Sequence, residues 1–244
     1  MNLILDIGNT RGKYAIFDGD TLLARGDNPT DWRDPVAAHR RPGEPLNILL
    51  AATGTPPAGL REQLQAAATL YREASATLPL PIPLDYDTPA TLGIDRVAAA
   101  IAAIALHPGR PLLVIDAGTA ITFNFVSADG RFLGGNISPG ARLRYLALHH
   151  FTARLPLLDG APSPGDAGKN TPDAIRQGVT RGIILETRGY IADFRLRHPA
   201  GITLLTGGDS PWIAPALGQE THLEQNLVLT GLNKILEHQK TSGT

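Results

Sequence analysis

Two short aliphatic runs, far apart in the chain, end in the same order of acidic, small and hydroxyl residues. The first is Leu3-Ile4-Leu5-Asp6-Ile7-Gly8-Asn9-Thr10 and the second is Leu113-Val114-Ile115-Asp116-Ala117-Gly118-Thr119-Ala120. Runs of this length and composition are typical of buried strands. A hairpin pattern follows each run, through Asp18-Gly19-Asp20 and through Ala128-Asp129-Gly130. The repeat therefore predicts two related halves.

Other patterns alternate between helix and strand in both halves. Helices are predicted between Pro29 and Pro45, over 60–71, over 97–106, from Arg142, over 171–197 with Thr171 as N-cap, and over 227–240; further strands are predicted at 46–51 and 202–205. This alternation predicts an α/β protein with domains 1–110 and 111–244. The Pro/Gly/Asp-rich segment 158–170 is long for a connection and is a candidate functional loop.

Composition narrows the function classes. The 244 residues are 43% hydrophobic and 18% charged, with a formal net charge of −1, as in ordinary globular proteins. There is no basic patch of the kind that nucleic acid requires. Cysteine is absent, which excludes disulfides and thiolate sites, and no apolar run could span a bilayer. We expect a cytoplasmic protein without nucleic-acid or membrane partners.

Both strand-ending turns have the chemistry of a phosphate site. Glycine lets backbone N–H groups approach an anion, threonine adds a hydroxyl, and the aspartate can hold a hydrated divalent cation. A single Asp-x-Gly turn is common without function, but a matched pair favours a phosphate clamp, with Lys13 beside the first turn. Asp95 starts the apolar helix at Val97, where it is either a first-turn acid or a functional carboxylate.

Five ordered motifs resemble the type III pantothenate kinase family. They are Asp6-Ile7-Gly8-Asn9-Thr10-x-x-Lys13, Gly93-x-Asp95-Arg96, Asp116-x-Gly118-Thr119-Ala120-x-Thr122, Gly134-Gly135-x-Ile137-x-Pro139-Gly140 and Thr206-Gly207-Gly208. The resemblance implies the acetate and sugar kinase/heat-shock chaperone/actin superfamily, in which two tandem ribonuclease-H-like domains hold a nucleotide in the cleft between them. It also implies ATP-dependent phosphorylation of pantothenate to 4'-phosphopantothenate, the first step of coenzyme A biosynthesis.

The resemblance also assigns residues. Asp95 matches the general base, and Asp6 and Asp116 match ligands of Mg²⁺ and of a monovalent cation, K⁺ or NH₄⁺. The positions matching ATP contacts are Asp6, Ile7, Gly8, Asn9, Thr10, Arg11, Gly12, Lys13 and Thr119. The positions matching pantothenate contacts are Tyr86, Gly93, Ile94, Asp95, Arg96 and Thr171. A homodimer is implied, and the apolar helix from Val97 is the interface suggested by sequence.

Two departures and two rival functions remain. Asn124 stands where the family usually has an acid, which puts a metal-linked role of that position in doubt, and Gly12 replaces a larger residue in the second strand. One rival is an accessory or regulatory protein that keeps the fold, disfavoured by intact Asp6, Asp95 and Asp116. The other is a phosphohydrolase that uses water as acceptor, disfavoured by the motif around Asp95.

Overall fold

The computed structural model describes residues 1–160, 167–218 and 221–242, so the candidate loop 158–170 lies partly outside the described residues. The chain forms two compact units. The first comprises Met1–Leu106 together with the residues from Asn226 onward, and the second is His107–Gln225. Within the described residues, no helix is both long and apolar enough to cross a membrane.

The first unit is built on a five-stranded mixed sheet. Its elements up to residue 106 are β1 (Asn2–Ile7), β2 (Gly12–Asp18), β3 (Thr21–Gly26), α1 (Arg33–His39), β4 (Asn47–Ala52), α2 (Leu60–Ala67), β5 (Leu70–Glu73), a 3₁₀ turn (Pro89–Thr91) and α3 (Ile94–Leu106). The strand order is β3-β2-β1-β4-β5. Strand β2 runs antiparallel to β1 and β3, whereas β4 runs parallel to β1 and β5.

The second unit repeats this topology. Its elements are β6 (Leu112–Ala117), β7 (Ala120–Val126), β8 (Phe132–Pro139), α4 (Ala141–His150), α5 (Thr171–Arg197), β9 (Ile202–Thr206), α6 (Ser210–Leu217) and β10 (Thr221–Leu223). The order β10-β9-β6-β7-β8 has the same directions as the first sheet. The predicted duplication within an α/β fold is therefore confirmed.

The two repeated runs form the central strands, β1 and β6. Leu3, Ile4 and Leu5 are fully buried, as are Leu113 and Val114. Both faces of each strand are therefore covered, which explains why the sequence reads as a continuous aliphatic run and not as an alternation.

A last helix, α7 (Leu227–Ser242), belongs to the first unit. The predicted division at residue 110 placed this helix in the second domain, but its buried side chains, among them Leu232 and Ile235, pack on α3, β1 and β4. Helices α3 and α7 approach so closely that a Cβ on Gly231 would lie 1.8 Å from the carbonyl oxygen of Ala98. The return of the chain to the first unit is a long-range packing effect.

Three local predictions were wrong. Helix α2 ends at Ala67, and Tyr71 lies in strand β5 instead of continuing the helix. The N-cap of α5 is Asn170, whose side chain accepts a hydrogen bond from the backbone N–H of Asp173, so Thr171 is already inside the helix. The helix from Val97, suggested as a subunit interface, is buried within its own unit.

Candidate active site

Hydrogen bonds hold the turn after β1 in place, and the residues at its tip are exposed. The backbone N–H of Gly8 donates to the carbonyl of Arg11 at 2.9 Å, which closes the turn. From the end of β4, the N–H groups of Thr53 and Gly54 both donate to the carbonyl of Ile7 at 2.9 Å. Residues 9–11 are exposed. The turn can therefore present backbone and side-chain donors to a ligand without losing its own position.

Thr53 and Gly54, which hold this turn, were not among the site residues predicted from the sequence. A Cβ on Gly54 would lie 2.4 Å from the carbonyl oxygen of Gly8, so the β4 end lies directly against the turn. The available signal was a Thr-Gly pair after a buried strand, which resembles the Thr206-Gly207 strand end that the sequence did single out. Both pairs end the strand parallel to the central one.

Two carboxylates and one lysine lie together in the first unit. Asp6 pairs with Lys13 across the antiparallel ladder of β1 and β2, and Asp95 lies in the first turn of α3. Burial and, to a smaller extent, the negative charge of Asp95 raise the pKa of Asp6 to about 6, although Lys13 opposes both effects. Asp6 is therefore a carboxylate whose negative charge is costly without a further cation, a property that fits a metal ligand.

The other first-unit residues assigned to pantothenate lie around the start of α3. Ile94 and Arg96 are buried, and the Arg96 guanidinium lies over the Tyr86 ring, 6.0 Å from its centroid. Gly93 precedes the helix, and its carbonyl accepts from the N–H of Arg96 at 3.2 Å. A buried cation beside an aromatic ring suits recognition of an acidic small molecule.

The second unit gathers three glycine-containing segments around Asp116. The Gly118 N–H donates to the carbonyl of Ala120 at 3.0 Å, and the Gly140 N–H donates to the carbonyl of Thr119 at 3.0 Å. A Cβ on Gly207 would lie 2.4 Å from Asp116 Oδ1. The motifs that the sequence presented separately are thus one structural cluster.

The surroundings of Asn124 indicate that its side chain has a structural role. Its side chain is fully buried, and Nδ2 donates to the carbonyl of Val114 at 3.4 Å and to Thr122 Oγ1 at 3.0 Å. These bonds need a donor, which a carboxylate would lack. Gly12, the other departure, leaves room for Pro29, whose Cγ would lie 2.7 Å from a Cβ at position 12.

Thr171 belongs to the second unit, whereas the other residues assigned to pantothenate belong to the first. It lines a cavity of about 870 Å³ between α4 and α5, together with Arg144, Leu148, Lys169 and Ile175.

Among the described residues, which leave out 161–166, 219–220 and 243–244, three or more His, Asp or Glu side chains nowhere come together in a group that could hold a metal ion. A metal that arrives with a nucleotide needs only one or two protein carboxylates.

Comparison with known proteins identifies the family. The model for "Type III pantothenate kinase" matches residues 2–193. The type III pantothenate kinase of Phocaeicola vulgatus is 41% identical over 240 residues, covering 98% of both chains. That of Porphyromonas gingivalis W83 is 38% identical, covering 97% of this chain and 98% of its own.

The chain belongs to the type III pantothenate kinase family. As a member of this family it is a kinase that phosphorylates pantothenate in coenzyme A biosynthesis. The family's ATP-dependent reaction implies Mg²⁺ bound with the nucleotide. Asp6 fits the role of a Mg²⁺ ligand, because its carboxylate is buried and costly to ionise without a nearby cation beyond Lys13.

Solved structures agree on the fold. The activator of the 2-hydroxyisocaproyl-CoA dehydratase from Clostridium difficile, solved with bound ADPNP, matches with a TM-score of 0.54 at 14% identity, covering 99% of this chain and 96% of its own. A Campylobacter jejuni protein assigned provisionally to the Baf family of transcriptional activators matches with a TM-score of 0.60 at 24% identity, covering 98% and 99%. At these identities the likeness concerns architecture alone.

Proposed function

We propose that Asp95 is the general base of pantothenate phosphorylation and that the turn from Asp6 to Lys13 binds the phosphates of Mg-ATP. The observation that supports this proposal most directly is the grouping of Asp6, Lys13 and Asp95 in one unit, with Asp95 close enough to raise the pKa of Asp6. One carboxylate then has a metal-linked task and the other a proton-transfer task.

The reaction needs positioning and charge neutralisation more than covalent chemistry. Asp95 accepts the proton of the primary hydroxyl of pantothenate. As that proton leaves, the hydroxyl oxygen bonds to the γ-phosphorus, and the bond between this phosphorus and the β–γ bridging oxygen breaks. Lys13 offsets negative charge on the phosphates, and the turn residues Ile7, Gly8, Asn9, Thr10, Arg11 and Gly12 would contact them, chiefly through the backbone and the exposed side chains of residues 9–11. Asp6 would hold the Mg²⁺, which supplies charge neutralisation when bound.

Recognition of the two substrates is divided among further residues. Tyr86, Gly93, Ile94 and Arg96 would contact pantothenate, with the buried Arg96 facing its carboxylate. Thr171 would also contact pantothenate. In the second unit, Thr119 would contact ATP and Asp116 would bind a monovalent cation, K⁺ or NH₄⁺. We also propose a cytoplasmic location, because the substrates of coenzyme A biosynthesis are small polar molecules of that compartment.

We infer that the active form is a homodimer paired through α5. Ala174, Gly178, Leu185, Gly189 and Leu196 recur at spacings of four and seven residues and are exposed, Leu196 by 82%. This spacing puts them on one side of the helix. A Cβ on Gly178 or on Gly189 would meet nothing within 4 Å, although helical glycine costs about 1 kcal/mol relative to alanine. Close approach by the same helix of a second copy explains both glycines.

Light scattering after size exclusion tests the dimer. The native chain should elute as a dimer, and Leu196→Glu should shift it toward monomer and lower pantothenate turnover. An exposed leucine outside this line, Leu133→Glu, is the matched control and should remain dimeric. A monomeric native chain, or a fully dimeric Leu196→Glu variant, would contradict the interface.

A coupled assay of ADP release, with and without pantothenate, tests the reaction roles. Asp95→Asn should lower pantothenate-dependent turnover by about 10²–10⁴-fold, the range typical of a lost general base, while the protein stays folded. Asp87→Asn removes an exposed carboxylate from the same segment and should leave turnover unchanged. Near-normal activity of Asp95→Asn would remove it from the mechanism. A native rate independent of pantothenate would favour a phosphohydrolase, and no rate at all would favour an accessory role.

A further inference from the structure

The glycine that precedes α3 lies directly against the Asp95 carboxylate. An ideal Cβ built on Gly93 would lie 2.5 Å from Asp95 Oδ1, and the next nearest atoms, Asp95 Cγ and Arg96 Cδ, are at 3.6 and 3.8 Å. Real Cβ contacts essentially never fall below 3.0 Å. Gly93 is not among the residues with positive φ, so its backbone conformation does not require glycine. Within the described part of the chain, the atom that obstructs a side chain here is Asp95 Oδ1.

The backbone at this point is fixed by the helix. The Gly93 carbonyl accepts from the N–H groups of Arg96 and Val97, at 3.2 and 3.4 Å. Asp95 Oδ1 accepts from the same Arg96 N–H at 2.9 Å. If a side chain were added at position 93, the backbone could not retreat without losing the first turn of α3, so the Asp95 side chain would have to rotate.

We propose that Gly93 is a positioning residue for the reaction: its missing side chain lets the Asp95 carboxylate fold back over the start of α3, with Oδ1 on the Arg96 N–H and Oδ2 turned to the substrate hydroxyl. This inference rests on the proposed role of Asp95 as base. It gives Gly93 a task distinct from contact with pantothenate. The task is to set the direction of proton transfer.

The expected size of the effect follows from geometry. A methyl group at position 93 must move Oδ1 from 2.5 Å to beyond 3.0 Å of the Cβ position, which rotates the whole carboxylate. A base works only within hydrogen-bond reach of its proton, and misplacement by about 1 Å costs up to about 100-fold in rate. Gly93→Ala should therefore lower kcat by about 10–100-fold.

The kinetic split of Gly93→Ala tests the proposal. The KM for ATP should stay within about 2-fold of the native value while kcat falls. The Tm should change little, because the added methyl meets no core atom. Ala90→Ser, which adds one atom at an exposed position of the same segment, is the control and should behave as the native chain. An unchanged kcat, or a raised pantothenate KM with kcat retained, would overturn the proposal.

A double-mutant cycle separates this proposal from the role of Asp95 itself. In the Asp95→Asn background, Gly93→Ala should change the residual rate by less than about 2-fold, because the orientation of a side chain that accepts no proton no longer matters. A full 10–100-fold loss in that background would overturn the positioning role. If Asp95→Asn alone keeps its activity, the base assignment fails; if only Gly93→Ala keeps it, the base assignment stands and the positioning role fails.

Discussion

Replacing Asp6 by asparagine should stabilise the nucleotide-free protein while abolishing its activity. The Asp6 carboxyl has a pKa of about 6 in the folded chain, against an ordinary value of 3.8, chiefly because burial removes solvent from it and secondarily because Asp95 is nearby. Lys13 opposes the shift only in part. A group that is hard to ionise in the folded state weakens folding at every pH where it is ionised.

The pKa difference of Asp6 between the folded and unfolded chain gives the sign and the size of its effect on the free energy of unfolding. Since the folded pKa lies above the unfolded one, the folded chain holds the proton more tightly, and stability falls as pH rises from about 4 through about 6. One pKa unit corresponds to about 1.4 kcal/mol, so the full cost above this window is about 3 kcal/mol as an upper bound. Asparagine has the same shape and no charge, so it removes the cost.

Urea denaturation in the presence of a chelator measures the difference. At pH 8, Asp6→Asn should have a free energy of unfolding higher than the native chain by about 1–3 kcal/mol, and near pH 4 the two should agree. Asp87→Asn, an exposed acid of the same unit, should match the native chain at both pH values. Mg-ATP should raise the Tm of the native chain more than that of Asp6→Asn.

An Asp6→Asn variant less stable than the native chain at pH 8 would refute the destabilising effect of the Asp6 charge. That result would mean that Lys13 more than compensates the Asp6 carboxylate, and that Asp6 is part of a structural ion pair. A gain of equal size at pH 4 and pH 8 would also contradict it, because the electrostatic effect must vanish once Asp6 is protonated.

Three further predictions concern the second unit. Asn124→Asp should lower the free energy of unfolding by about 2–4 kcal/mol, because it buries a charge and removes the hydrogen bond from Asn124 Nδ2 to the Val114 carbonyl; unchanged urea denaturation would contradict this. Gly207→Ala should lower the Tm and weaken activation by K⁺, since φ is 95° and the methyl would press on Asp116; native K⁺ titration would contradict it. Thr122→Lys should make turnover less dependent on K⁺ by placing an ammonium opposite Asp116, and an unchanged K⁺ requirement would refute that.

Much of the fold was predictable because its central strands are written in local sequence. The aliphatic runs of β1 and β6 are covered on both faces, so their composition alone identifies them. The apolar stretch after Asp95 is likewise continuous, because most of α3 is buried. Since each aliphatic run stops at an acidic residue, the sequence also predicts that Asp6 and Asp116 lie at strand ends.

The misassigned elements are those whose position depends on partners distant in sequence. Strand β5 is short and half-exposed, and Tyr71 happens to continue the helical spacing of Leu64 and Ala67. Helix α7 carries no local sign of which unit its apolar face will cover. At the start of α5, Asn170 and Thr171 are both good N-cap residues, and only the bond from the Asp173 N–H distinguishes them.

The same duplication explains why the two turns can have different tasks. In the first unit, the ladder puts Lys13 opposite Asp6, whereas in the second the residue opposite Asp116 is Thr122. The first carboxylate therefore has a tethered cation beside it, and the second has a hydroxyl there. A monovalent cation bound at Asp116 would supply the charge that the second turn lacks. The proposed cation is then the counterpart of a lysine side chain, which is why a lysine at position 122 is the sharpest test of it.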